Sequence, residues 1–158
     1  MKHFLLLLFF TLPVCSQTKT FVVRDNAVIW ENVFVTSETN IASILEKHPS
    51  LTIISDKNNI YKGIARNVKN SCPGTSEAFV DARYDFNFEI ERSAGMYRVT
   101  ISNLKILPAS KKQSVTAESF FLEKCEIKNT SQGQTDLQCL DALFNRIFTA
   151  TSLLKNKP

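Results

Sequence analysis

The chain has 158 residues, 44% of them apolar and 22% charged, with a formal net charge of +4 and only four Gly and five Pro. That length suits one domain, and the mix excludes an intrinsically disordered or a fibrous chain. Part of the apolar total, including three of the twelve Phe, is concentrated in the first sixteen residues and is not expected to join the fold.

Met1-Lys2-His3 is a short, weakly basic start, and residues 4–12 are almost wholly apolar. Pro13 breaks that run, and Val14-Cys15-Ser16 supplies a small-residue cleavage site before Gln17. The run is too short for a bilayer core of about 30 Å, which takes about 20 residues. Residues 1–16 are therefore expected to be a signal peptide cleaved after Ser16, leaving 17–158 as one domain exported to a periplasm or beyond the cell. Lipid attachment at Cys15 is disfavoured by the β-branched Val14, where a lipoprotein signal carries a small residue. Loss of Lys2 takes the formal charge to +3, 18 Lys and Arg against 15 Asp and Glu. No other stretch approaches membrane-spanning length. Export also argues against chemistry driven by ATP or nicotinamide cofactors.

Residues 27–35 are rich in β-branched and aromatic side chains and predict a strand, with a shorter one over 20–23 before it. Ser37 is placed to cap a helix of about ten residues, with Glu38 in its first turn, Ile41, Ile44 and Leu45 on one face, and Pro49 at its end. Residues 51–55 and 60–68 predict two more strands, joined by the turn Asp56-Lys57-Asn58-Asn59. A polar loop follows over 69–76.

The strongest pattern comes next. Val80, Ala82, Tyr84, Phe86, Phe88 and Ile90 alternate with Asp81, Arg83, Asp85, Asn87, Glu89 and Glu91, which predicts a strand with one buried and one wet face. Ser93-Ala94-Gly95 turns the chain, and residues 96–107 return. With Ala94-Gly95 as a two-residue loop, Ile90 faces Val99 and Phe88 faces Ile101 on the buried side. Glu91 then faces Arg98 and Glu89 faces Thr100 on the wet side, a register that a one-residue slip would destroy. Asn103 breaks the alternation and predicts a bulge near Ser102.

Residues 108–117 read as a polar, basic loop and 118–128 as the last strand. Thr135 and Gln138 match a capping box, and Leu137, Leu140, Phe144, Ile147, Thr151 and Leu154 form one stripe of a helix of about five turns. These elements predict an α+β domain. Its sheet is mainly antiparallel with about five to six strands, one face covered by the short N-terminal helix and the long C-terminal helix.

This order resembles a family of secreted Bacteroidota proteins in which a signal peptide precedes a domain of unknown function with a TATA-box-binding-protein-like (TBP-like) fold. The resembling pieces are VIWENVFV before a short helix, IISDKNNIYKGIARN as a hairpin, YDFNFEIERSAGMYRVTISNL as a long hairpin, and the closing helix, together spanning about 27–154. The resemblance implies a fold and a compartment. It brings no active site to transfer.

Beyond residue 16 the cysteines are Cys72, Cys125 and Cys139, an odd number in a disulfide-permitting compartment. The short connection between the last strand and the closing helix makes Cys125–Cys139 the expected bridge, with Cys72 free or competing for a partner. The alternative leaves all three as small buried or loop residues. His48 is the sole histidine of the exported portion, and a helix C-terminus accounts for it without a metal or a catalytic role. The cysteines lack the paired spacing of a structural zinc site, and no Gly-x-Ser-x-Gly elbow is present.

The row Asp81, Asp85, Glu89 and Glu91 reads as a solvated face with Arg83 and Arg98 as cross-strand partners rather than a pair of catalytic acids. The wet face is too acidic for a nucleic-acid saddle, and Lys105, Lys111 and Lys112 read as a small solubilising patch. Among the aromatics, Tyr84 and Tyr97 belong to the core stripe, while Tyr61 is the expected exposed binding residue. No catalytic residue, cofactor site or metal site is assigned. The expected function is that of an exported, non-enzymatic binding module whose partner is an envelope protein or polymer. The alternative is a periplasmic or secreted hydrolase with a site not legible in the sequence.

Overall fold

The computed structural model describes residues 20–37 and 40–149, with the Ile44 side chain set aside. The expected signal segment with Cys15, Glu38 of the first expected helix, and Thr151 and Leu154 of the last lie outside the described residues.

Three hairpins build most of the sheet. Strands β1 (Phe21–Arg24) and β2 (Ala27–Val35) meet at Asp25-Asn26, with φ of 50° and 60°. Strands β3 (Leu51–Lys57) and β4 (Ile60–Lys69) meet at Asn58-Asn59, with φ of 53° and 63°. Both turns need left-handed backbone at two successive positions, which Asn and Asp tolerate best after Gly. Strands β5 (Arg83–Ser93) and β6 (Met96–Leu107) turn at Ala94-Gly95 in the predicted register. Ile90 faces Val99, Phe88 faces Ile101, Glu91 faces Arg98 and Glu89 faces Thr100.

Two bulges reset which side chains face the core. On β6 the register slips between Asn87↔Ser102 and Asp85↔Lys105, and Asn103 has φ of 53°. The buried set passes there from Val99 and Ile101 to Leu104 and Ile106. This is the bulge expected near Ser102. A second bulge, in β4, lies between Ala65 and Val68, where Asn67 has φ of 55°. Asp85 holds it from the facing strand, accepting from Asn67 N at 2.8 Å and from Arg66 Nη1 at 3.2 Å.

The strand order is β1-β2-β6-β5-β4-β3, entirely antiparallel, and a short β7 (Val115–Thr116) pairs with the end of β6 to make seven strands. The chain is thus α+β with a mainly antiparallel sheet, one strand beyond the expected count. The strand expected over 118–128 is replaced by helix α2 (Ala117–Phe121) and a separate hairpin of β8 (Leu122–Glu123) and β9 (Glu126–Ile127). Thr116 caps α2 by accepting from Ser119 N, and Ala117 and Phe121, four residues apart, are both buried. Helical spacing wins over alternation there.

Helix α1 (Ile41–Leu45) is half its expected length because the cap is Asn40, whose Oδ1 accepts from Ser43 N at 3.1 Å, not Ser37. Helix α3 (Ser131–Phe148) begins earlier than expected. Its cap is Thr130, not Thr135, and Gly133 makes this possible: a Cβ there would meet Thr130 Oγ1 at 2.8 Å. Thr135 instead donates its hydroxyl hydrogen to Ser131 O inside the first turns. The predicted stripe Leu137, Leu140, Phe144 and Ile147 is buried against the sheet, and Leu143 and Phe148 join it.

Gly63 in β4 is required by close approach, since a Cβ there would sit 2.2 Å from Phe88 Cζ and 2.5 Å from the Thr52 carbonyl oxygen. The carbonyl belongs to the paired backbone and cannot move aside. Gly63→Ala should therefore cost about 1–3 kcal/mol, read as a lower urea midpoint with an unchanged slope. An unchanged midpoint would show that β3 and β4 are not held this tightly.

Candidate functional site

The acidic row does not form a site. Glu89 pairs with Lys62 at 2.6 Å, Asp85 with Arg66 at 3.2 Å and Glu91 with Arg98 at 3.2 Å, all at least partly exposed. Such pairs are worth about 0–1 kcal/mol each and leave the wet face close to neutral. Asp81 lies outside this lattice, just before β5, with φ of 54°.

His48 sits in the turn after α1. Its backbone N–H donates to Leu45 O, and its Nδ1 accepts from Ser50 N at 3.3 Å. Burial lowers its pKa below the usual value, so folding favours the neutral ring. That contribution to stability is present above the unfolded value near 6.5 and is lost as pH falls through the folded one. Among the described residues, no three His, Cys, Asp or Glu side chains cluster as metal ligands.

Tyr61 is not the exposed aromatic expected. It is 7% exposed, on the core side of β4 facing Ile90. Its strand carries Gly63 and Ala65 at the next core positions, so the apolar alternation is masked by small residues. Tyr84 and Tyr97 are buried as predicted. The Tyr84 hydroxyl has no hydrogen-bond partner among the described residues, and burial together with nearby Asp136 drives its pKa well above the usual range.

The expected Cys125–Cys139 bridge is also corrected. The disulfide joins Cys72 to Cys139, with Cα atoms 6.1 Å apart, and Cys125 is free and exposed. The physical reason is the missing last strand. Cys125 stands at the tip of the β8–β9 hairpin with φ of 65°, while Cys139 faces inward from α3 towards the loop after β4.

That disulfide is one of several ties between α3 and the 70–82 segment. Asn70, only 8% exposed, donates through Nδ2 to both Cys72 Sγ and Cys139 Sγ at 3.3 and 3.2 Å. Its Oδ1 accepts from Arg146 Nη2 at 2.9 Å. Earlier on the helix, buried Asp136 accepts from Ser76 N and Ser76 Oγ, each at 2.8 Å.

Beside these ties opens a cleft of about 680 Å³. It lies where β4 ends, β5 begins and β6 ends, and it is lined by Lys69, Asn70, Ser71, Asp81, Arg83, 107–109, Lys111 and Arg146. Lys69 stands directly opposite Arg83 across the β4–β5 pair. Facing charges elsewhere in the seven-stranded sheet have opposite sign, as in Lys62↔Glu89, Glu91↔Arg98 and Asp85↔Lys105. A like-charged facing pair costs a few tenths to about 1 kcal/mol.

Among the described residues, 15 Lys and Arg stand against 14 Asp and Glu, and the cleft lining holds four of those cations with one acid. The remaining surface is therefore net negative, and positive charge is focused at the cleft. Lys69, Arg83 and Lys111 make no ion pair among the described residues.

Sequence reasoning placed Arg83 with the acidic row and Lys111 in a patch with Lys105 and Lys112. The β4 bulge instead shifts the end of that strand so that Lys69 meets Arg83, while Lys105 faces Asp85. Arg146 was read only as part of a helix. Its spacing from Asp136 and Cys139, ten and seven residues, would have placed all three along one side of α3.

A seven-stranded antiparallel sheet with a long C-terminal helix on one face is a TBP-like α+β fold. Solved structures share it. A DUF4468 family protein from Bacteroides ovatus superposes with a TM-score of 0.54 at 12% identity, covering 89% of this chain and 93% of its own. A TBP-like protein from Parabacteroides distasonis gives a TM-score of 0.53 at 12% identity, covering 87% of this chain and 98% of its own. No family model and no curated protein matches the sequence. At this identity the likeness establishes fold, in agreement with the resemblance to Bacteroidota domains of unknown function, and carries no site residues.

The disulfide spans 67 residues, so in the chain-entropy account its removal by Cys139→Ser should cost about 4 kcal/mol. Thiol labelling without reductant should modify Cys125 alone among residues 20–149. Labelling of Cys72 or Cys139 in the folded, unreduced protein would contradict the pairing.

Proposed function

We propose that this chain is an exported domain that acts by binding, through the cationic cleft, an envelope protein or polymer that presents negative charge. The observation that carries the reading is the unneutralised Lys69–Arg83 pair at the floor of a cleft completed by Lys111 and Arg146. Neighbouring strands in the same sheet match their charges, so within that sheet the repulsion is local to this one concave place; the other like-charged facing pair, Glu123↔Glu126, lies in the separate β8–β9 hairpin. An anion seated there relieves it.

The lining favours holding over chemistry. Among the described residues its one carboxylate is Asp81, with no second carboxylate or histidine in the lining to share general acid and base roles. Ser71 adds a hydrogen-bonding group, and the neutral wet face leaves long-range attraction to the cleft. Export rests on the signal-like residues 1–16, and the disulfide suits an oxidising compartment.

Two measurements check this. Mass analysis of the protein recovered from the envelope and medium of its host should find Gln17 as the first residue, whereas a retained Met1 would contradict export. Immobilised protein should capture an envelope component that 0.5–1 M salt releases, about where screening shortens to a few ångströms. A Lys69→Gln/Arg83→Gln bait should lose it. Equal capture by both baits would move the binding surface away from the cleft.

A further inference from the structure

We infer that the group recognised in the cleft is a phosphomonoester carried on an aliphatic or polyol body; this rests on the binding reading above and makes its ligand specific. The first argument is charge. Four cations and one acid line the cleft, and they come from four separate segments: Lys69 at the end of β4, Arg83 at the start of β5, Lys111 in the loop after β6, and Arg146 on α3. A phosphomonoester brings about −1.5 to −2 at neutral pH with three strong acceptor oxygens, where a single carboxylate brings one charge. Only the former offsets both members of the Lys69–Arg83 pair. Arg83 and Arg146 supply planar forks suited to phosphate oxygens, and lysine adds point charge.

The second argument is shape and lining. A cleft of about 680 Å³ falls in the range of sites that enclose whole small molecules, well beyond one bare phosphate. Its apolar wall is Leu107, Pro108 and Ala109, and among the described residues no aromatic one lines it. Bases and sugar faces are commonly held by aromatic stacking, so a nucleotide is a poor fit and a body without an aromatic ring a good one.

The third argument is preorganisation. Arg146 is held by Asn70, which is itself buried and bonded to both sulfurs of the disulfide. One cation is thus fixed before any ligand arrives, and rigid placement is what lowers the cost of binding. Lys69 and Arg83 are fixed at their backbones by the β4–β5 ladder.

The test is calorimetric titration of the disulfide-bonded protein at low salt with glycerol 1-phosphate, inorganic phosphate and succinate. Glycerol 1-phosphate should bind at least about tenfold tighter than either of the others, as one extra charge-assisted contact would give. Its affinity should fall between pH 7.5 and pH 5 as the ester loses its second charge, whose pKa is about 6. Lys69→Gln or Arg83→Gln should weaken it about tenfold or more while raising the melting temperature of the unliganded protein, because each removes the facing repulsion. A merely structural pair would lower it. Lys62→Gln, on the paired face, should leave affinity unchanged.

Succinate or inorganic phosphate binding as tightly as the ester would overturn the assignment, as would full affinity in Lys69→Gln and Arg83→Gln. If no anion binds yet the envelope component is still captured through the cleft, the phosphomonoester falls and the binding reading stands. Release of inorganic phosphate from the ester during incubation would overturn the binding-only reading and leave the ligand class intact.

Discussion

Phe144 of α3 is fully buried against Phe21 of β1, Trp30 of β2 and Phe86 of β5, with ring centroids 6.4, 5.3 and 5.2 Å away. This aromatic seam ties strands that are distant in sequence to one helix, and the rest of the architecture is arranged around it. One turn further on, Phe148 packs on Phe86 and Phe88. Polar contacts along the same helix set its rotation: Trp30 Nε1 donates to Asp141 Oδ1 at 2.8 Å, Asn32 Nδ2 to Asn145 Oδ1 at 2.6 Å, and the Tyr97 hydroxyl to Phe148 O. Aromatic burial supplies area, and these bonds choose which way the helix faces.

Fixing that rotation has a consequence for the cleft. Beside its apolar stripe, α3 carries a second line of residues, Asp136, Cys139 and Arg146, directed at the segment that follows β4. Ser76, Cys72 and Asn70 receive them in turn. A segment with no strand or helix of its own is thereby held in one conformation, and one wall of the cleft with it. The sheet supplies the floor, where the β4 bulge sets Lys69 against Arg83. Core packing, the disulfide and the charge cluster are consecutive links of one mechanical chain.

Much of the fold was legible because the buried set is written in period two on β5 and β6 and in helical spacing on α3. The β5–β6 register followed from Ala94-Gly95 and from matching faces on both sides. Three features escaped for identifiable reasons. The caps at Asn40 and Thr130 lie beside other Ser and Thr residues of nearly equal capping strength, so local chemistry did not choose between them. The 118–128 segment mixes aromatic residues that suit either a strand or a helix, and Thr116 decided for helix. The cleft escaped because it depends on a bulge at Arg66-Asn67, where no Gly marks the irregularity and Asp85 stabilises it from another strand. The disulfide followed the same logic. Its partners are 67 residues apart and meet only when α3 is laid on the sheet.

The central claim is that function resides at this end of the sheet and not on the broad ion-paired face. Amide NMR resolves the two directly, by adding glycerol 1-phosphate to the isotopically labelled, oxidised protein. The account predicts shift changes at Lys69, Asn70, Ser71, Arg83, Lys111 and Arg146, with Glu89, Glu91 and Thr100 undisturbed. Changes centred on those last three residues, or none at the cleft at millimolar ligand, the weak end of specific binding, would contradict it.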